Sequence, residues 1–171
     1  MPATYEPIAS TTLGSDTATV TLGSGGTLPQ GYTDLILVMQ GRNTSSGTGS
    51  YHIRLRFNGD TATNYSTTQL YGDGSAAGSN RFSSESRIRA GEMPRAGSTT
   101  VTPGISIVHI QSYANANVNK TTLASNSADI YALRAVGLWR STSAITSIDV
   151  SFDTGSWASG STFSLFGLKA A

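Results

Sequence analysis

The sequence predicts an all-β protein, an antiparallel two-sheet β-sandwich of about ten strands with a jelly-roll-like topology. Three observations support this prediction. Apolar and polar residues alternate with a period of two along most of the chain, which is the pattern of half-buried strands. Serine, threonine and glycine account for 67 of the 171 residues, and charged residues for only 12%. Turn signals containing Gly, Asn or Asp separate the alternating segments.

The clearest strands are residues 51–58 and 148–153, where every second residue is apolar. The alternate polar side chains, including His52 and Arg54, are expected on a solvated face. The Asn58-Gly59 pair that follows can adopt the positive φ angles of a tight hairpin. The residues expected to face the core are Tyr51, Ile53, Leu55, Phe57, Ile148, Val150 and Phe152.

Residues 32–40 contain the nearly continuous apolar run 35–39, which is typical of a strand covered on both faces. Residues 17–22 are rich in β-branched types. Residues 132–138 contain Gly137 and β-branched neighbours, which favour a strand over a short helix. The other strand candidates are residues 5–12, 65–71, 82–89, 105–113, 121–125, 130–139 and 162–168.

The chain is predicted to form one domain over residues 1–171, because no linker, repeat or change of composition divides it. Residues 1–8 contain Pro2 and Pro7, which disfavour regular pairing and suit an extended N-terminal arm that docks on a partner. The Gly/Ser/Thr-rich segment 42–50 is expected to be a mobile loop.

Charge and cysteine content exclude several classes of function. The net charge is +1, so the basic excess of a nucleic-acid-binding protein is missing. The chain has no cysteine, which excludes disulfides and cysteine-ligated metals. The apolar run 35–39 is too short to span a membrane, and the N-terminus lacks the pattern of a secretory signal. We therefore expect neither nucleic acid nor a membrane as a partner.

No catalytic motif is present in the sequence, so we expect no enzyme, no cofactor and no metal centre. The two histidines, His52 and His109, do not form an H-E-x-x-H pair, and neither a G-x-S-x-G nor a G-x-x-x-x-G-K motif occurs. Most of the ten carboxylates adjoin turns, where they satisfy backbone donors. A calcium ion shared by Asp60 and Asp73 is the weaker alternative.

Arginine outnumbers lysine nine to two, and four arginines are close in the sequence at Arg81, Arg87, Arg89 and Arg95. Arginine suits desolvated contacts, because its planar guanidinium pairs bidentately and is weakly hydrated. These four residues therefore indicate either an intersubunit surface or a solvated face paired with Glu85 and Glu92.

Four aromatic residues, Tyr65, Tyr71, Trp139 and Trp157, are candidates for stacking on the sugar rings of a host surface glycan. Trp139 ends a strand pattern, which favours a place in the core. Trp157 lies in the glycine-rich segment 155–160 and is the better binding candidate.

Several segments together resemble a group of small virion structural proteins of tailed bacteriophages that are common in aquatic and cyanobacterial phages. The resemblance spans nearly the whole chain and consists mainly of turns and strand ends. Its segments are YTDL at 32–35, FNGD at 57–60, NYS at 64–66, LYGDG at 70–74, GLWR at 137–140 and GSTFSLFGL at 160–168.

The resemblance implies a structural component of the virion, made in the host bacterial cytoplasm, and carries no catalytic residue with it. We expect a capsid decoration (cement) protein on the outer head surface that bridges copies of the major capsid protein. A homo-oligomer is expected, with a trimer favoured. The alternatives are a head fibre, a tail-fibre or baseplate appendage, and a receptor- or carbohydrate-binding module.

Overall fold

The computed structural model describes residues 5–23, 25–98, 102–128 and 131–169, and within them it contains twelve strands and no helix. Accordingly, these residues include no helix that could cross a membrane. The strands are β1 (Tyr5–Thr12), β2 (Thr19–Leu22), β3 (Asp34–Gly41), β4 (Ser50–Phe57), β5 (Tyr65–Gly72), β6 (Ala77–Glu85), β7 (Ile88–Pro94), β8 (Gly104–Gln111), β9 (Lys120–Ala128), β10 (Tyr131–Trp139), β11 (Ile148–Phe152) and β12 (Thr162–Leu168).

The strands form two antiparallel sheets. The larger has eight strands in the order β1-β12-β3-β8-β9-β10-β5-β6, and the smaller has four in the order β2-β11-β4-β7. The predicted all-β, two-sheet sandwich is confirmed, and this strand order is compatible with a jelly roll. The segment 132–138 is part of β10, as predicted.

The core lies between the sheets, where the strands contribute every second residue. Leu35, Leu37 and Met39 of β3 are fully buried opposite Ile53 and Leu55 of β4. Six of the seven predicted core residues are confirmed as buried. The exception is Tyr51, which is half-buried beneath the guanidinium of Arg95, 4.8 Å from its ring centroid.

The turn at Asn58-Gly59 is confirmed, but it does not join a hairpin. Both residues have positive φ, 53° and 65°, and the Asp60 N–H donates to the Phe57 carbonyl at 2.9 Å. The flanking strands β4 and β5 belong to different sheets, so this turn carries the chain from one sheet to the other. The Asn58 side chain is anchored, because its Oδ1 accepts from the Thr146 N–H at 2.7 Å.

The prediction of one continuous strand over residues 82–89 is wrong. The first part of this segment ends β6, and the last part begins β7. Ser84 adopts φ 56°, and the strands on the two sides enter different sheets. The chain turns between β5 and β6 at residues 73–76, where the Asp73 carboxylate accepts the N–H groups of Ser75 and Ala76. Beyond that turn the chain is already in β6.

Two segments expected to be free of regular contacts are attached to the sandwich. The described part of the expected N-terminal arm, from Tyr5 onward, pairs with β12 as an edge strand, and residues 1–4 lie outside the described residues. Asn43, in the expected mobile loop 42–50, is fully buried, and its side-chain amide donates to the Thr154 carbonyl. The loop is also held by Arg95, which donates to the Thr48 carbonyl at 3.1 Å.

Arg54 was expected on a solvated face and is instead 5% exposed. Its guanidinium binds the Asp153 carboxylate through two nitrogens, with Nε 2.7 Å from Oδ1, and donates from Nη1 to Glu85 at 3.3 Å. Glu85 ends β6, so the edge of the larger sheet covers this part of the smaller sheet. Burial is tolerated because the charge is paired and hydrogen bonded.

Replacing Leu55 by Ala should lower the free energy of unfolding by about 2–5 kcal/mol, because the side chain is fully buried and its loss leaves a cavity. Val118→Ala is the control, since Val118 is 41% exposed. Its effect should stay within about 0.5 kcal/mol. Urea denaturation measures both, and equal losses in the two variants would contradict this core.

Candidate functional site

Trp157, the preferred glycan-stacking residue, is a core residue, so this prediction is wrong. Its ring is fully buried, 4.4 Å from the ring centroid of Phe152 and 4.8 Å from that of Phe163. The indole N–H donates to the Val150 carbonyl, and the backbone bridges to Thr17. The glycines around Trp157 indicated an exposed loop, whereas they form turns that direct the indole inward.

Tyr65 is likewise excluded from glycan stacking by complete burial. It stacks on Trp139 with 6.0 Å between ring centroids, and Trp139 lies in the core as its strand position indicated. The Tyr65 hydroxyl accepts from the Phe57 N–H at 3.3 Å, and its one hydrogen lies within reach of the carbonyls of Asp60, at 3.2 Å, and Phe57, at 3.4 Å. Burial raises the pKa of Tyr65 to about 12. This pair therefore stabilises the crossing between the sheets.

Asp60 and Asp73, the alternative calcium ligands, each serve their own turn. Asp60 accepts from Asn64, from the Ala62 N–H and from the indole of Trp139, and the bond from Asn64 is the main cause of its lowered pKa. Backbone N–H groups lower the pKa of Asp73. Within the described ranges, no group of three or more histidine and carboxylate side chains could hold a metal ion.

The four predicted arginines do not form one surface. Arg89 pairs with Glu85 at 3.1 Å and lies over the Phe82 ring at 3.8 Å, and burial lowers the pKa of the nearby Arg87. Arg81 is exposed on β6 and faces away from the core, while Arg95 holds the loop 42–50. Arg89 has the partner that the solvated-face alternative predicted, Glu85, but the pair is largely buried, with 15% and 27% of the two side chains exposed.

Tyr71, the remaining aromatic candidate, lines a polar cleft of about 420 Å³ beside β7, the edge strand of the smaller sheet. Its ring packs on Gly78 of β6, where a Cβ atom would lie 2.6 Å from the Tyr71 hydroxyl. The cleft is lined by side chains of five strands and by the end of the loop 42–50. These lining residues are Thr48, Gly49, Ser50, His52, Gln69, Tyr71, Asn80, Glu92 and Tyr131.

The titratable groups at the centre of the hydrogen bonding in the cleft are His52 and Glu92. Nδ1 of His52 lies 3.2 Å from Oε1 of Glu92, and the Ser50 hydroxyl donates to the other carboxylate oxygen. Burial is the main cause that lowers the pKa of His52, and the positive charges of Arg89 and Arg54 lower it further. The negative charge of Glu92 acts in the opposite direction and raises it. The buried surroundings therefore favour the uncharged form of the imidazole.

Sequence reasoning missed most of this cleft. Gln69, Asn80 and Tyr131 were not selected, and Glu92 was considered only as a partner for arginine. No sequence spacing connects them, because they lie on four strands from two sheets. The available signal was polar residues at inward positions of β5, where Gln69 lies between the outward Thr68 and Leu70.

A second surface is the outward face of the larger sheet, here called the outer face. Two rows of cross-strand neighbours carry its large aliphatic side chains. One row is Ile36, His109, Leu123, Val136 and Thr68; the other is Val38, Ile107, Ser125, Arg134 and Leu70. Leu70 is 62% and Val136 50% exposed. The run 35–39 predicted a strand covered on both faces, but β3 is only half-covered on this side.

The outer face carries positive charge. Arg134 and Arg81 are exposed on it, and Arg140 donates to Ser66 at its margin. The acidic residue Asp34 lies at one end, where its carboxylate binds His109 at 2.8 Å and the Ser112 N–H at 2.7 Å. Around Leu70, Ala132 and Arg134 the surface forms a shallow depression of about 400 Å³.

No family model and no curated protein matches the chain. Among solved structures, it is similar at low level to alginate lyase Aly36B, with 15% identity, a TM-score of 0.38, and coverage of 93% of this chain and 78% of that one. A double mutant of that enzyme in complex with alginate trisaccharide matches with 14% identity and a TM-score of 0.31, covering 95% and 81%. Likeness at this level assigns no activity.

Lowering the pH from 7 to 5 should lower the free energy of unfolding through His52. The unfolded chain binds this proton near the ordinary histidine pKa of about 6.5, and the folded chain binds it only at lower pH. For one proton the slope cannot exceed about 1.4 kcal/mol per pH unit. Urea denaturation of wild type and His52→Gln should give a shallower slope for the variant.

An NMR titration of the His52 imidazole provides the direct check on this pKa. Its midpoint should lie below about 6.5, and a midpoint above that value would contradict the effect of burial.

Proposed function

We propose that this chain is a non-catalytic structural component of a tailed-phage virion that attaches to another virion protein through its outer face. The observation that carries the proposal is the two aliphatic rows on a sheet face that the described chain does not cover. Clusters of exposed apolar side chains rimmed by polar residues are typical of surfaces that bind another protein. The resemblance to phage virion proteins supports the same class.

The composition of the outer face indicates what the partner must offer. The partner must offer apolar side chains to Leu123, Val136 and Ile107, because removing their apolar surface from water is favourable. Arg134 of β10 and Arg81, at the β6 edge, require carboxylates, since burying an unpaired guanidinium is costly. We therefore commit to a partner surface that combines apolar and acidic side chains.

The partner that we propose is the major capsid protein, with the chain acting as a decoration protein on the outer head surface. A rigid two-sheet module without cysteine suits that position, because it needs no redox chemistry to fold.

Self-association, with a trimer favoured, is a second part of the proposal. A two-fold contact centred on Arg134 would bring like charges together, which argues against the outer face as a dimer interface.

A receptor-binding appendage of the tail is the second candidate. The specific observation that favours it is the polar cleft beside β7, which remains open when the outer face is covered. Gln69 and Tyr71 point to the cleft while Leu70, between them, points to the outer face. Attachment and ligand binding would therefore use opposite sides of β5.

Val136→Asp and Leu123→Asp should each abolish incorporation of the protein into virions while leaving its folding unchanged. The introduced carboxylate would enter an apolar contact without a compensating charge. Thr19→Asp is the matched control, because Thr19 is exposed on the smaller sheet. Immunoblotting of purified virions measures incorporation, and normal incorporation of both outer-face variants would contradict attachment through this face.

Immunogold labelling of intact virions should place the protein over the whole head. Because decoration of a shell repeats with its symmetry, label should be distributed evenly and heads lacking the protein should burst more easily. Label confined to the tail would overturn the capsid assignment and favour the appendage.

A further inference from the structure

We infer that the cleft beside β7 is a binding site for a neutral pyranose sugar. The cleft is on the side of β5 opposite to the outer face, so the inference goes beyond the attachment proposed above and does not depend on it. Its volume of about 420 Å³ falls within the range of about 300–1,000 Å³ typical of small-molecule sites.

The strongest indication of a ligand is the Gln69 side chain. Gln69 is 2% exposed, and its Oε1 has no hydrogen-bond partner within the described structure. A buried amide oxygen without a partner is costly, and such groups call for an explanation in a native protein. Because Gln69 lines the cleft, a hydroxyl donor bound there would satisfy this oxygen.

Glu92 supplies a second acceptor. Its carboxylate already receives the Ser50 hydroxyl on one oxygen, and its other oxygen lies 3.2 Å from Nδ1 of His52. An ionised carboxylate accepts several hydrogen bonds and donates none. Together, Gln69 and Glu92 select a ligand that presents hydroxyl donors.

Other side chains that line the cleft can both donate and accept. Asn80 of β6 is exposed and carries an amide, and the phenols of Tyr71 and Tyr131 carry hydroxyls. Both tyrosines are half-buried, so their rings offer apolar surface as well. The faces of aromatic rings are electron-rich and attract the polarised C–H groups of a pyranose ring. This combination of hydroxyl-binding groups and ring surface fits a sugar.

The charge of the cleft selects neutral sugars over uronates. The described lining residues include the carboxylate of Glu92 and no lysine or arginine. A uronate carboxylate would be repelled by Glu92 and would find no cation to pair with. A neutral hexose meets neither obstacle.

Titration of ¹⁵N-labelled full-length protein with methyl pyranosides of glucose, galactose, mannose and N-acetylglucosamine tests the inference. We expect at least one of them to produce saturable shifts of amides in the loop 42–50, β5 and β7. Glucuronate and galacturonate should bind at least about tenfold more weakly. The absence of saturable shifts at millimolar sugar, shifts confined to another surface, or tighter binding of uronates would overturn it.

Three variants distinguish a binding role from a structural one. Tyr71→Ala and Asn80→Ala should each weaken the sugar by about tenfold, whereas Tyr5→Ala, remote and 56% exposed, should not change it. Gln69→Leu removes the unpartnered oxygen with little change of shape, so it should weaken the sugar while leaving stability unchanged or raising it. Unaltered sugar affinity in both Tyr71→Ala and Gln69→Leu would overturn the inference. Incorporation of these variants into virions is a separate measurement, which tests attachment through the outer face.

Discussion

The unequal size of the two sheets is the constraint on which the rest of the structure depends. Eight strands form one layer and four the other, and each strand directs alternate side chains to opposite faces. The inner face of the larger sheet is buried against the smaller one, as at Leu37 and Val108. Within the described chain no third layer covers the other face, so Val136 and Leu70 remain exposed. The exposure of the outer face is therefore a direct consequence of the layer count.

The same inequality creates the cleft. The smaller sheet ends at β7, and beyond this edge the inner face of β5 carries the polar side chain of Gln69, whereas Tyr65 at the other end of the strand lies in the core. The edge is held in place by charged groups that bridge the sheets, since Glu85 of β6 binds both Arg54 and Arg89. Phe82 adds ring contacts to His52 and to Arg89. A partly polar boundary between the sheets thus leaves room for a ligand while remaining ordered.

Much of the fold could be predicted because alternation is a local property of the sequence. Leu55 and Val150 were assigned to the core from period-two patterning alone, and the turn at Asn58 from its residue types. Partners distant in the chain could not be predicted: Arg54 is buried because Asp153 and Glu85 meet it from other strands. Trp157 was misplaced for the same reason, since its burial depends on Phe152 and Phe163. Gly78 of β6 makes room for the ring of Tyr71, a contact between strands that no local pattern predicts.

Hydroxyl-radical footprinting of the free and virion-bound protein tests the central claim, that the uncovered outer face is the attachment surface. The method reports the solvent exposure of individual side chains, and the two aliphatic rows provide several probes. The account predicts that oxidation of Leu70, Leu123 and Val136 falls sharply on binding, while that of Val118, in the loop after β8, is unchanged. Equal oxidation of the three outer-face residues in the free and bound states would contradict it.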